Sequence, residues 1–311
     1  MMPRRDGHTT ADRCPRAGSA PEKKHRTMRR PGTGFLFLLP SLIVMGVFSF
    51  WPILYSFVMS FCRWRIVGRP SWCGLENYAR AVRSPIFWTA LGNTALYAMV
   101  TVPAGLVLAL GTALLLNNKL RGRAVYRGVF FFPVLVSMVV IAMIWSWMFS
   151  ENVGIVNPIL RAIGIEPRAW MADPKWAFRI IMAMSVWKGF GYGMVIFLAG
   201  LAAIPRSYYE AAEVDGAGPW RRFRHITWPL LRPTTLFVLV TAFIGSFQVF
   251  DQVYVMTHGG PGYATTVLVS LIYDEAYVRF RMGYACALSY VLFAIILVWT
   301  VIQWFMMRRE A

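Results

Sequence analysis

The chain has 311 residues, 57% hydrophobic and only 15% charged, with a net charge of +18. Soluble domains carry about 25% charged residues, so an ordinary soluble fold is excluded. The positive charge is confined to a few segments, which argues against a nucleic-acid surface and for the basic flanks of a membrane protein.

In chain order, residues 1–33 are rich in Arg, Lys, Pro, Gly and Thr and read as a disordered basic cytoplasmic tail. Met28, followed by Arg29-Arg30, offers a second start of translation beside Met1. Residues 34–307 form a membrane domain. Six stretches in it reach the roughly 20 apolar residues that a bilayer crossing needs: about 35–61, 92–116, 129–149, 179–203, 234–256 and 284–306. Backbone groups in lipid must pair within their own segment, so these are helices. The predicted fold is all-α, a polytopic membrane protein with six transmembrane helices. The first apolar run is too long for a cleaved signal and reads as an anchor.

The tail, the 117–128 turn, the 204–233 loop and the C-terminus share one side if there are six crossings. Together they hold 20 Lys/Arg, against 11 on the other side. Basic residues collect at the cytoplasmic face, so both termini are expected there, in a prokaryotic plasma membrane. The opposite loop 63–91 carries five arginines and blurs that bias. Its Trp64 and Trp72 suit an interfacial belt. Gly154-Ile155-Val156-Asn157-Pro158 reads as a turn. Residues 265–277 are too short to span and read as interfacial or re-entrant. Cys14, Cys62, Cys73 and Cys286 have no metal-ligand spacing, and only Cys62 and Cys73 are placed to meet.

The chain has no phosphate-binding G-x-x-x-x-G-K-[ST], no H-E-x-x-H and no G-x-S-x-G. It therefore carries no nucleotide site of that type and no recognisable nucleophile or metal, which disfavours a membrane-embedded enzyme. Gly189-Phe190-Gly191-Tyr192-Gly193 lies inside a span, where close helix packing is the simple reading.

The loop 204–233 is polar and internally organised. Ser207 and Glu210 have capping-box spacing, predicting a helix through Ala211, Ala212 and Val214. Gly216 follows it as a left-handed cap, and Pro219 opens a second helix. Trp220, Phe223 and Ile226 are expected to form that helix's buried face, Arg221, Arg222 and Arg224 to stay solvated or meet lipid phosphates, and Pro229 and Pro233 to bracket the return to the membrane.

The string Glu210-Ala211-Ala212-x3-Gly216-x9-Ile226-x-Trp228-Pro229 resembles the EAA loop of binding-protein-dependent ABC importers, with Trp228 where that pattern usually has Leu. Asn93-Thr94, Phe132-Pro133, Trp187-Lys188, Ala199-Gly200-Leu201, Ile204-Pro205 and the run Phe247 to Pro261 resemble the sugar-permease branch, over about residues 35–306. The resemblance implies a permease subunit paired with a second, homologous permease, an ABC ATPase dimer and an extracytoplasmic solute-binding protein. ATP and Mg would sit on the ATPase and no cofactor on this chain. It assigns ATPase coupling to Glu210, Ala211, Ala212, Asp215, Gly216, Ile226 and Pro229. The cargo it implies is a carbohydrate, with glycerol phosphate or a glycerophosphodiester as the alternative.

Candidate pathway residues come from polarity within spans. Lys188 falls near the middle of the fourth span, where a charge costs at least ~2.5 kcal/mol on insertion scales. It marks either a pathway or a packed, snorkelling lysine. Trp187 can stack on a sugar ring or pack. Counted along a continuous helix from Pro233, Asp251 rises about 27 Å, close to the outer surface, with Gln248 and Tyr254 a turn to either side.

Overall fold

The computed structural model describes residues 31–66, 68–118 and 121–308. Residues 1–30 of the expected tail, with Met28 and Cys14, lie outside the described residues, and its last three, Pro31 to Thr33, already belong to the first helix. The chain divides into two units, Met1–Trp51 and Pro52–Ala311. In the first, the described residues form helix α1 (Pro31–Met45) and a five-residue π turn, Gly46–Phe50.

The second unit is almost wholly helical. After α2 (Trp51–Ser60), a two-stranded ribbon pairs Cys62–Arg63 with Ser71–Trp72, and α3 (Glu76–Arg83) follows. The long helix α4 (Pro85–Asn117) leads to α5 (Arg123–Leu135), α6 (Met138–Met148), α7 (Val156–Ala162) and the second long helix, α8 (Pro174–Ala202). Then come α9 (Arg206–Val214), α10 (Pro219–Arg222), α11 (Trp228–Phe247), α12 (Asp251–Thr257), α13 (Leu268–Tyr273) and α14 (Met282–Arg308). Asn157 lies in α7 rather than in a turn. Its amide group bonds the backbone of Glu151 and Arg168 and accepts from the Trp170 indole, fixing the segment between α6 and α8.

Among the described residues, five helices are long and apolar enough to cross a membrane, or six if α5 and α6 count as one bent span. Two of the expected spans need correction. The third is not straight: α5 and α6 meet at 93° across Val136–Ser137. Both residues of the break are extended, so the last carbonyls of α5 have no partner in their own helix. The fifth span begins earlier and ends earlier than expected. A continuous helix runs from Pro219 to Phe247, and the chain breaks before α12.

Proline explains the first part of that shift. Of three π turns among the described residues, Phe223–Thr227 lies directly before Trp228-Pro229 and Gly46–Phe50 directly before Trp51-Pro52, while Asp274–Val278 has no proline after it. A proline ring clashes with the carbonyl four residues back and leaves it without a donor. The wider turn relieves that clash and lets the helix pass through. Pro229 and Pro233 therefore lie within a helix instead of bracketing one.

Packing is tightest where side chains are smallest. α4 and α8 share the longest interface. At Gly193 an added Cβ would come within 3.0 Å of the Ala109 Cβ, and at Gly191 it would strike the Phe130 carbonyl oxygen. At Gly200 it would lie 2.6 Å from the Thr234 Oγ1 of α11. The glycine run is thus a packing device at Gly191 and Gly193, whereas Gly189 has open space around it. Met194, Phe197, Leu231 and Ala113 make one core in this region. A second core, with Tyr97, Ile181, Met184 and Val253, fastens α12 against α6 and α8.

Candidate functional site: a helical loop and an uncharged cavity

The loop that ends α8 is built by local rules. Pro205 (φ −60°, ψ 136°) turns the chain into α9, so Ser207 already lies inside the helix and cannot cap it. The expected Ser207–Glu210 capping box does not form, and Glu210 is an exposed second-turn residue with no ion pair among the described residues. The C-terminus of α9 matches expectation. Gly216 has φ +72°, its N–H donates to the Glu213 carbonyl at 3.1 Å, and the Ala217 N–H donates to the Ala212 carbonyl at 2.8 Å. That pair of bonds is the Schellman arrangement, which needs a left-handed residue at Gly216. Asp215 is exposed beside it.

Two contacts lock the loop. Glu213 pairs with Arg222, so that arginine is engaged and not free for solvent or lipid. The hydroxyls of Tyr209 and Thr227 lie 3.0 Å apart, with Thr227 buried. Ile226 and Pro229 are half-buried at the base of the loop. The surface that remains is apolar. Val214 is 90% exposed, Trp220 72% and Tyr208 53%, with Ala211 exposed and Ala212 half-buried between them. Trp220 was expected to be buried with Phe223. Instead it stacks on the Phe223 ring at 5.6 Å and shows its other side outward. Residues 206–222 thus form a capped platform whose apolar side chains are exposed among the described residues.

The second feature is a cavity of about 280 Å³ among α4, α8, α11 and α12. Its polar centre is a hydrogen-bonded trio. The buried Gln252 amide donates to the Tyr97 hydroxyl at 2.9 Å and to the Ser185 hydroxyl at 3.3 Å. Thr101, Thr241, Phe190 and Tyr192 add hydroxyls and ring faces, and Gly105, Gly189 and Gly245 leave the space open. No Asp, Glu, Lys or Arg lines it among the described residues.

The candidate pathway residues do not gather in this cavity. Lys188 turns away from it. Its ammonium donates to the Val134 carbonyl at 3.3 Å, one of the acceptors freed where α5 breaks. A cation at the carbonyl end of a helix is favourable, so Lys188 holds the bent span in place. Trp187 is 43% exposed and packs its ring 5.8 Å from Trp145. Gln248 is exposed, and its N–H closes the last turn of α11. Asp251 is exposed in the first turn of α12. Because the helix breaks before it, the straight count from Pro233 does not apply. Tyr254 packs among rings, 5.1 Å from both Phe250 and Tyr273.

The residues that do meet, Tyr97, Ser185 and Gln252, were missed. Each is a single polar residue in an apolar run, and that is the only signal each carries. Asn93 and Thr94 are another long-range device. Asn93 donates to the carbonyls of Tyr263 and Thr266, and the Thr94 hydroxyl accepts from the Leu268 N–H at 2.9 Å. They pin the Gly259-Gly260-Pro261 turn and α13 to α4.

Comparison with known proteins agrees with this architecture. The family described as binding-protein-dependent transport system inner membrane component matches residues 101–306. A lactose transport system permease of Rhizobium radiobacter is 39% identical over 284 residues, 89% of this chain and 94% of that protein. A trehalose/maltose transport system permease of Thermococcus litoralis is 36% identical, covering 88% and 93%. A crystal structure of a bacterial ABC transporter that imports the acidic polysaccharide alginate contains a chain with TM-score 0.80 and 25% identity, covering 90% of this chain and 96% of that one. The multi-pass helical fold and these likenesses place the chain in one group: it belongs to the family of inner membrane components of binding-protein-dependent transport systems, the permeases of ABC importers.

Proposed function

We propose that this permease carries a neutral carbohydrate, one ring at a time through its narrowest part, and that an ATPase on another subunit drives it through the 206–222 platform. The observation that carries the cargo assignment is the uncharged cavity. A phosphate ester or an acidic sugar crossing a region of low dielectric needs cations to replace its water. Lys188, a cation a phosphate could have used, donates to the Val134 carbonyl instead. What lines the cavity suits sugar hydroxyls and C–H faces: amide, hydroxyl and aromatic groups. The relatives named for lactose and for trehalose and maltose support the same class.

The coupling assignment rests on the platform. Exposed Val214, Trp220, Tyr208 and Ala211 form an apolar surface beside the exposed carboxylates of Glu210 and Asp215. Buried aromatic anchors with a polar rim are the usual anatomy of a protein contact. In this reading Glu210 pairs with a basic group of the ATPase, the two alanines permit close approach, and Gly216 sets the turn. ATP and Mg belong to that partner. A second permease completes the pathway, and a binding protein delivers cargo from the outer face, with both termini of this chain in the cytoplasm.

The test is uptake by the complete transporter reconstituted in vesicles. Neutral mono- and disaccharides should stimulate ATP hydrolysis and accumulate, and glycerol phosphate should not. Preferential uptake of the phosphate ester, with sugars inert, would overturn the cargo assignment and leave the coupling assignment standing.

A further inference from the structure

The segment 61–91 carries five arginines, which is unusual for a loop on the translocated side. The structure separates them into two groups. Arg63 is neutralised by Glu76 at 2.5 Å, and the Arg80 guanidinium lies over the Tyr284 ring at 5.1 Å. Arg65, Arg69 and Arg83 are exposed and have no ion pair among the described residues.

The apolar groups beside them are exposed too. Trp72 is 71% exposed, Leu75 68%, Val82 61% and Trp88 54%. The surface is nonetheless firmly built. Asn77 is buried and donates to the carbonyls of Ser60 and Cys62, Trp72 stacks on Phe61 at 5.8 Å, and the Trp88 indole donates to the Val82 carbonyl at 2.8 Å. Large apolar side chains held rigidly in the open, interleaved with free cations, need an environment that takes both.

Position supplies that environment. The surface begins where α2 ends and runs into the first turns of α4, so it sits at the level where spans leave the hydrocarbon. At 33 residues α4 is about 50 Å long, against a hydrocarbon core of roughly 30 Å, so its first turns, Trp88 among them, reach the headgroup layer. A soluble partner would leave Trp72 and Val82 in water whenever it dissociated, whereas lipid covers them continuously. Tryptophan rings at headgroup level beside arginines that reach phosphates are the chemistry of an interfacial lipid site.

We infer that the ribbon and α3 form a binding surface for anionic phospholipid headgroups in the outer leaflet, with Arg65, Arg69 and Arg83 as its phosphate ligands. The inference rests on the topology given under Proposed function.

The experiment uses the purified full chain, titrated with phosphatidylglycerol or phosphatidylcholine and followed by native mass spectrometry. The Arg65→Gln/Arg69→Gln/Arg83→Gln variant should lose phosphatidylglycerol affinity by roughly five-fold for each arginine, with phosphatidylcholine binding and thermal stability unchanged. An Arg121→Gln/Arg123→Gln variant should keep this class of site. Unchanged phosphatidylglycerol binding in the triple variant overturns the inference. So does an equal loss of both lipids, which would report a damaged fold, and so does a loss of binding-protein capture without a loss of lipid. Topology is read separately, from a Ser71→Cys chain in which Cys14, Cys62, Cys73 and Cys286 are replaced by Ser, with a membrane-impermeant maleimide in intact cells. Labelling only after permeabilisation overturns the leaflet, and the topology with it, while the arginine titration stands on its own.

Discussion

The 206–222 platform and the cavity are built in opposite ways. The platform is made from one stretch, residues 206–222, and its bonds span few residues: Gly216 to Glu213, Ala217 to Ala212, Glu213 to Arg222. The cavity's bonds join Gln252 to Tyr97 and to Ser185, across 155 and 67 residues. A local structure keeps its shape while the spans around it move. A structure assembled from four helices cannot, because any relative motion of those helices reshapes it. The contrast suits the proposed coupling, in which force is received at one place and affinity changes at another.

The largest expected effect tests the local side. Gly216→Val places a β-branched residue at φ +72°, a region that costs L-residues roughly 1–2 kcal/mol or more. It should open the α9 cap and abolish uptake, while the chain still inserts and still binds cargo. Normal uptake would show that the platform tolerates reshaping and would end the contrast. On the assembled side, Gly191→Ala should destabilise the chain in detergent by about 1–3 kcal/mol, because the new methyl meets the Phe130 carbonyl. Gly189→Ala, with open space, should be neutral in the same melting assay.

Gln252→Leu comes next. It removes the donor to two hydroxyls and should raise the half-saturating cargo concentration roughly ten-fold, the equivalent of one to two hydrogen bonds. Basal ATP hydrolysis should not change. An unaltered concentration dependence would remove the cavity from the pathway. The smallest effect belongs to Lys188→Met. Losing the bond to the Val134 carbonyl should cost about 1 kcal/mol of stability in the melting assay and leave sugar selectivity intact. A change in selectivity would return Lys188 to the pathway.

The same contrast explains what was legible in the sequence. Five of the six spans appeared at nearly the right places because continuous apolarity is a local property. The helix around Glu210-Ala211-Ala212, the left-handed Gly216 and the helix opening at Pro219 were legible for the same reason. Ser207 misled because its spacing to Glu210 fits a cap, and Pro205 pre-empts that role one residue earlier. The break at Val136–Ser137 carries no Gly, and its nearest proline, Pro133, lies inside α5. Its stabilising partner, Lys188, is 54 residues away. Tyr97, Ser185 and Gln252 are invisible for that reason too: each is an isolated polar residue until the fold joins them. Trp220 reads as core in any periodicity argument, and only the third dimension shows that it is 72% exposed among the described residues.

The continuous helix from Pro219 to Phe247 has a mechanical meaning. Its 29 residues make a rod about 43 Å long. One end carries Trp220 on the platform. The other stops at Phe247, beside the break that leads to Gln252. A tilt of only about 5° over that length displaces the far end by about 4 Å, enough to pull a hydrogen-bonded trio apart. If the platform couples to an ATPase as proposed, no flexible relay is needed, because one continuous helix joins it to the break before Gln252.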